Sequence, residues 1–426
     1  MITVFIAFGV LLLLGMPVAF AIGISGFLFF FLQSSLPFTM PSQLILSETQ
    51  NFALLAIPMF IFAGNLLNNT GITSRLLRLS SVLAGHMYGG LAQTSVVLSS
   101  LMGGVSGSAI ADSSMQSRIL GPEMVSKGYS RGYAAGVNGF TSLITVAIPP
   151  GIGLVLYGSI GEVSIGRLFA GGIAPGLIMM FFLMIAVSLT ARKRGYIPEQ
   201  SRRAPIRVVA STFLSSIWAL LFPIILIVGL RLGLLLPSEA GAFASIYALA
   251  IGLIVYRELD WKKFITAVKL TIMDVGMIMF LIALSSLISY GITWEMIPQR
   301  LTQFLLSVSS SPHIITAVIL TFLLLLGMII DSTVIILLLT SILVPIMSHV
   351  GVDLVYFGVI MVITCAIGLL TPPVGVAMYS VCSIMECTVG EFVKESWPFL
   401  LALLALIVLL IFMPWVVLFI PNLIFG

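Results

Sequence analysis

Four short stretches in this chain combine the residue types that hold small ions. Two are polar and glycine-rich: Gly103-Gly104-Val105-Ser106-Gly107-Ser108-Ala109-Ile110-Ala111-Asp112, and Gly327-Met328-Ile329-Ile330-Asp331-Ser332-Thr333. The other two carry consecutive prolines: Ile148-Pro149-Pro150-Gly151, and Leu370-Thr371-Pro372-Pro373-Val374-Gly375. Proline donates no backbone hydrogen bond and clashes with the preceding turn, so the carbonyls before each pair are freed for a cation or water. The helix resuming after such a break presents unsatisfied N–H groups with partial positive charge, which suit an anion. Serine and threonine hydroxyls beside freed carbonyls form an oxygen-only donor set, the kind a hard cation takes. The chemistry on offer is binding of a small cation next to an organic anion.

These stretches must be positioned inside a membrane. The chain has 426 residues, of which 60% are hydrophobic and 8% charged, with a mean hydropathy of +1.21. A soluble domain carries about 25% charged residues. Apolar runs long enough to cross a bilayer, about 20 residues, recur from Ile2–Leu32 to Phe399–Ile420. The expected fold class is therefore an all-α polytopic membrane protein. The first run is too long, and lacks the basic flank and small-residue cleavage site, to be a signal peptide. Cys365, Cys382 and Cys387 offer no disulfide or metal spacing, and His86, His313 and His349 are scattered, so no metal beyond a coupling cation is expected. The formal net charge of +4 sits in short loops and points to no nucleic acid.

Positive charge collects in four groups: Arg75 with Arg78; Arg118, Lys127 and Arg131; Arg192 to Arg207; and Arg257, Lys262, Lys263 and Lys269. The positive-inside tendency makes all four cytoplasmic. Spans at about 212–234 and 238–256 then separate the last two groups, and the map closes with the N-terminus inside and the C-terminus outside. The chain also repeats itself. Phe60, Ala63, Leu67 and Gly71-Ile72-Thr73 recur 220 residues later as Phe280, Ala283, Leu287 and Gly291-Ile292-Thr293. Leu120-x-Pro122 precedes Pro149-Pro150 by the same interval at which Leu343-x-Pro345 precedes Pro372-Pro373, now at an offset of 223. Each half contributes four crossings and a hairpin, and the lone helix at 212–234 inverts the second half, an architecture common in secondary transporters. The first repeat is placed at 1–195, with a re-entrant hairpin at about 83–122 and a discontinuous helix at about 132–165. A basic loop and linking helix occupy 196–236. The second repeat, 237–426, has its hairpin at about 313–345 and its discontinuous helix at about 355–381.

Irregular backbone survives at membrane depth only where protein buries it or a wet cavity meets it. An isolated proline pair reads as a plain kink and a lone Gly-x-x-x-Gly as a packing groove, but repeat-related pairs favour a binding site. Asp112 and Asp331 are costly inside a bilayer, which favours a functional reading; each also suits a structural role as a helix cap. An intramembrane aspartyl protease built on these two carboxylates is disfavoured by their glycine and serine neighbours. A channel is disfavoured because no ring of charge runs through any span.

At these motifs the sequence resembles the large membrane (DctM-like) subunit of tripartite ATP-independent periplasmic (TRAP) transporters. The resemblance rests on Gly15-Met16-Pro17-Val18-Ala19-Phe20, Ile57-Pro58-Met59-Phe60-Ile61-Phe62-Ala63-Gly64-Asn65, Gly103–Ala109, Gly128-Tyr129-Ser130-Arg131-Gly132-Tyr133-Ala134-Ala135 and Ile148-Pro149-Pro150. It continues through Gly172-Ile173-Ala174-Pro175-Gly176, Pro237-Ser238-Glu239-Ala240-Gly241-Ala242 and Gly368–Gly375, so it spans nearly the whole chain. It implies a bacterial inner-membrane, secondary active transporter subunit rather than an enzyme. An elevator-type transport module would carry both hairpins and both broken helices, driven by a sodium gradient. No Gly-x-x-x-x-Gly-Lys phosphate loop is present. The implied partners are a small four-helix membrane subunit, expected as a separate chain, and a periplasmic binding protein that delivers the anionic substrate. The implied sodium ligands are Ser106, Gly107, Ser108 and Pro149 on one side, and Gly327, Asp331, Ser332, Thr333, Gly368 and Thr371 on the other. Ser108, Asp112, Pro150, Gly151, Pro372, Pro373 and Gly375 are the implied substrate contacts. Pro149-Pro150-Gly151-Ile152-Gly153 is closer to sialic-acid members than to dicarboxylate members, in which serine often follows the prolines; glycine there is expected to leave room for a bulkier ligand. The rival within the same class is a stand-alone sodium–dicarboxylate symporter that needs no binding protein.

Overall fold

The computed structural model describes every residue except Asn51, Ser201 and Ser310, and among the described residues it is helical with no strand. In a bilayer the helix satisfies its own backbone groups, which explains why so apolar a chain adopts little else. Among the described residues six helices are long and apolar enough to cross a membrane, or seven if Arg131–Ala147 and Ile152–Ile160, bent by 41° at their junction, count as one.

The first half runs α1 (Ile2–Leu13), α2 (Val18–Leu32), α3 (Met40–Thr49), α4 (Ala56–Asn68), α5 (Ile72–Ala84), α6 (Gly90–Met102), α7 (Ala109–Ile119), α8 (Gly121–Ser126), α9 (Arg131–Ser142), α10 (Ile144–Ala147), α11 (Ile152–Ile160) and α12 (Ile165–Arg194). The linking helix is α13 (Ile206–Arg231). The second half runs α14 (Pro237–Ala250), which ends in a π-helical turn at Ile251–Val255, then α15 (Trp261–Trp294), α16 (Ile297–Val308), α17 (Pro312–Gly327), α18 (Ser332–His349), α19 (Leu354–Gly368), α20 (Val376–Met385), α21 (Val389–Phe412) and α22 (Trp415–Phe425).

All four expected irregularities are present. Gly103–Ser108 separates α6 from α7, and Met328–Asp331 separates α17 from α18. Ile148–Gly151 and Leu369–Gly375 interrupt the two proline-bearing segments. The 13 residues of α6 reach about 20 Å at 1.5 Å per residue, short of the roughly 30 Å hydrocarbon core. The returning arm of each hairpin packs on the broken helix of its own half and on the outer arm of the other: α7 on α9 and α20, α18 on α19 and α11.

Ion pairs tie together loop ends that the charge map places on one face. Arg75 meets Glu258 at 2.6 Å, Arg131 meets Glu386 at 2.7 Å, and Arg194 pairs with Glu395. At the other end of α12, Arg167 donates to Asn422 at 2.9 Å. The first apolar run, Ile2–Leu32, is two helices folded back on each other. Gly15 adopts φ +79°, Met16 N–H caps Leu11 C=O at 3.1 Å, and Pro17 cannot continue the helix. Helix α2 then runs alongside α15, with Gly23 against Leu284 and Gly26 against Leu287. The Met1 ammonium reaches Glu295 at 2.6 Å, at the opposite end of α15 from Lys262 and Lys263.

Candidate functional site

Each hairpin tip is fastened to the break of its own half by backbone hydrogen bonds. Ile152 N–H donates to Gly107 C=O at 3.4 Å. In the second half Val374 and Gly375 N–H donate to Met328 C=O at 3.1 and 3.0 Å. Ile152 and Gly375 stand 223 residues apart, the offset already visible in the proline pairs. The Pro149–Pro150 and Pro372–Pro373 peptide bonds are both cis.

The close approach explains the glycines. Gly107 has φ +62°, and a Cβ there would stand 2.3 Å from Pro150 O. A Cβ on Gly368 would stand 2.4 Å from the Gly327 carbonyl carbon, and one on Gly327 would be 2.9 Å from Cys365 O. Backbone meets backbone at both junctions, the small-residue packing that lets membrane helices touch.

The polar side chains follow from the helix starts. Ser108 is the N-cap of α7, its Oγ accepting from Ala111 N–H at 3.4 Å. Asp331 caps α18, its Oδ1 accepting from Thr333 N–H at 2.8 Å. Such caps contribute about 1 kcal/mol each. Thr371 donates its hydroxyl to Ile367 C=O at 2.8 Å, which leaves the oxygen lone pairs free to accept a cation. Ser106 and Thr371 are buried. The donors around both breaks are hydroxyl, carbonyl and one carboxylate oxygen, a set that fits sodium. Among the described residues no group of three or more His, Cys, Asp or Glu stands together.

The implied substrate residues divide. Pro150 and Gly151 are buried behind Gly107, whereas Pro373 is exposed and Pro372 and Ser108 half-buried. Gly375, in the left-handed region at φ +55°, starts α20 with Tyr379 exposed on the following turn. Gly151 does not leave room for a ligand: a Cβ there would meet Val146 O at 2.4 Å, so the helix end itself demands the glycine and the bulky-substrate argument drawn from it fails.

Asp112 is turned away from the tip. It is 1% exposed and its Oδ2 accepts from Ser99 Oγ at 3.0 Å and Gln116 Nε2 at 2.7 Å. Gln116 Oε1 accepts from Ser95, whose hydroxyl also lies 2.9 Å from Thr141 Oγ1 and 3.0 Å from Asn138 Oδ1. This buried network binds both arms of the first hairpin to α9. Sequence reasoning missed it. The signal was available in polar residues one helical turn apart, Ser95/Ser99 and Asp112/Gln116, inside otherwise apolar helices.

Two helix pairs, each docked on a broken helix, on an all-helical apolar scaffold, define a polytopic membrane protein of the transporter class. Solved structures agree on the fold. The Alcanivorax borkumensis YdaH transporter superposes with a TM-score of 0.56 over 89% of each chain at 12% identity. The Neisseria gonorrhoeae MtrF efflux pump does so at 0.55, covering 88% of this chain and 84% of its own, at 13% identity.

The family model "Tripartite ATP-independent periplasmic transporter, DctM component" matches residues 5–416, and the chain belongs to that family. It is 34% identical to the Escherichia coli K12 2,3-diketo-L-gulonate TRAP transporter large permease protein, over 94% of each chain. It is 34% identical to the Vibrio cholerae sialic acid TRAP transporter large permease protein, over 98% of this chain and 97% of that one. The Rhodobacter capsulatus C4-dicarboxylate counterpart is 29% identical over 97% of each. The chain is thus a multi-pass TRAP large permease, of a family that works with a small membrane subunit and a periplasmic binding protein.

Proposed function

We propose that this chain carries an organic acid into the bacterial cytoplasm across the inner membrane, coupled to sodium entry. The docking of each hairpin tip on its own broken helix, through Gly107 C=O in the first half and Met328 C=O in the second, carries this reading. Sodium would be held there by Ser106, Gly107, Ser108 and Pro149, and by Gly327, Asp331, Ser332, Thr333, Gly368 and Thr371. The substrate carboxylate would lie on the accessible side, near Ser108, Pro372, Pro373 and Gly375. The two halves act as inverted repeats, and the hairpins with their broken helices move together as an elevator against the remaining helices. A sugar acid is the substrate class, with sialic acid first. The support is that the sialic-acid and diketogulonate permeases are each 34% identical to this chain, the dicarboxylate permease 29%.

Reconstitution with the small membrane subunit tests the reading. Labelled sialic acid is expected to enter liposomes only when an inward sodium gradient and the cognate binding protein are both present. Uptake without the binding protein would replace this mechanism with a stand-alone symporter. Uptake that a dicarboxylate displaces and sialic acid does not would overturn the substrate.

We read the N-terminus as periplasmic rather than cytoplasmic: the support is that Met1 pairs with Glu295 at the end of α15 opposite Lys262 and Lys263, which the positive-inside tendency assigns to the cytoplasm. A cysteine added before Met1 should react with an impermeant maleimide in intact spheroplasts. Labelling only after lysis would return the N-terminus to the cytoplasm.

A further inference from the structure

At the far end of α20 from its break, the helix ends in a left-handed residue that is not glycine. Glu386 adopts φ +51° and ψ +46°. The N–H of Cys387 donates to the carbonyl of Cys382 at 3.1 Å, the six-to-one bond of a Schellman cap. That motif brings the side chains five residues apart into contact, a place commonly filled by two apolar residues. Here both are cysteines, Cys382 and Cys387.

The surroundings favour reaction at one of them. Cys382 is buried and Cys387 half-exposed. The neighbouring Cys382 thiol holds the Cys387 thiol below the usual thiol range, and the Arg131 guanidinium acts in the same direction, against burial and Glu391. Thiolate character and access are what make a cysteine reactive. Arg131 also pins the cap, donating to Glu386 Oε2 at 2.7 Å and Glu386 O at 3.3 Å. A cavity of about 520 Å³ lined by Arg118, Arg131, Met385 and Glu386 opens beside it, and its arginines suit an anionic reagent.

We propose that Cys382 and Cys387 form a reversible disulfide across the cap of α20, produced by an anionic low-molecular-weight disulfide such as oxidised glutathione. Cys387 loses its proton to solvent and attacks one sulfur of the reagent, giving a mixed disulfide and expelling one small thiolate. Cys382 then loses its proton and attacks the Cys387 sulfur, closing the intramolecular bond and expelling the second. The protein gives up two protons and two electrons, and the reagent becomes two thiols. The site needs no particular substrate or coupling ion, so it stands apart from the transport reading.

The full chain, purified in detergent, would be incubated with oxidised glutathione, alkylated, digested and weighed. The fragment spanning both residues is expected to lose two hydrogens and resist alkylation until dithiothreitol is added. Cys382→Ser should trap glutathione on Cys387, and Cys387→Ser should leave Cys382 unoxidised. Both thiols remaining alkylatable in the native chain, a glutathione adduct that persists there, or a disulfide involving Cys365 would each overturn the proposal.

Discussion

Gly368→Ala is expected to abolish uptake while the protein still reaches the membrane. The added methyl would stand 2.4 Å from the Gly327 carbonyl carbon and 2.5 Å from its Cα. Those are backbone atoms, which cannot rotate aside as a side chain does, so α17 and α19 must separate. Overpacking of a close-fitted interior costs about 1–3 kcal/mol, and here the cost falls on one contact. The same junction holds Val374 and Gly375 on Met328 C=O, so separation pulls the hairpin tip off the break. A displacement of about 1 Å at a reacting centre costs about a hundredfold in rate, and a fall in sodium-driven uptake of that order is the expected result. Gly276→Ala is the matched control: it lies within α15 with nothing inside 4 Å of its Cβ, and should transport normally. Wild-type uptake by Gly368→Ala would show that the two backbones need not touch for transport.

Asp112→Ala is expected to lower stability and leave substrate recognition unchanged. The carboxylate accepts from Ser99 and Gln116 in a fully buried setting. Its removal leaves the Ser99 hydroxyl without its acceptor and takes one of the two acceptors of the Gln116 amide, which keeps Ser99 Oγ; an unsatisfied buried group costs about 1–3 kcal/mol. Thermal unfolding followed by size-exclusion of the detergent-solubilised protein should show the loss. The fraction that survives should retain the native KM for the transported acid, because the side chain is engaged by Ser99 of α6 and Gln116 of its own helix. Asp112→Asn keeps one acceptor oxygen and should fall between the two. A raised KM with native stability would put Asp112 back at the substrate.

Much of the candidate site could be read directly from residue types. Two proline pairs and two glycine-rich interruptions in matching places specify backbone that cannot remain helical, and any fold of this chain has to accommodate them. The structure places breaks at all four. Asp331 as a helix cap was legible for the same local reason, since an aspartate before a helical run satisfies its free N–H groups.

Distant partners were not legible. Nothing in Asp112 or Gly151 states which way a side chain or a missing one points. The first belongs to a network made by α6, α7 and α9, and the second is required by the Val146 carbonyl of its own broken helix. The N-terminus shows the same limit. Hydropathy measures the length of the apolar run Ile2–Leu32, but the left-handed turn at Gly15 doubles the run back along itself. The Schellman cap of α20 is a further case: Cys382 and Cys387 have no recognised spacing along the chain, and only a left-handed Glu386 brings their sulfurs together.

By itself, then, the sequence determined the membrane class and the four places where helix must fail, because these depend on composition and on backbone chemistry within a few residues; the family was legible only through the resemblance of its motifs. Only the tertiary structure decided which tip docks on which break, which carboxylate is spent on holding a hairpin together, and to which end of α15 the N-terminus returns. Those outcomes are set by helices meeting across hundreds of residues, where close packing selects one partner among many of similar apolarity.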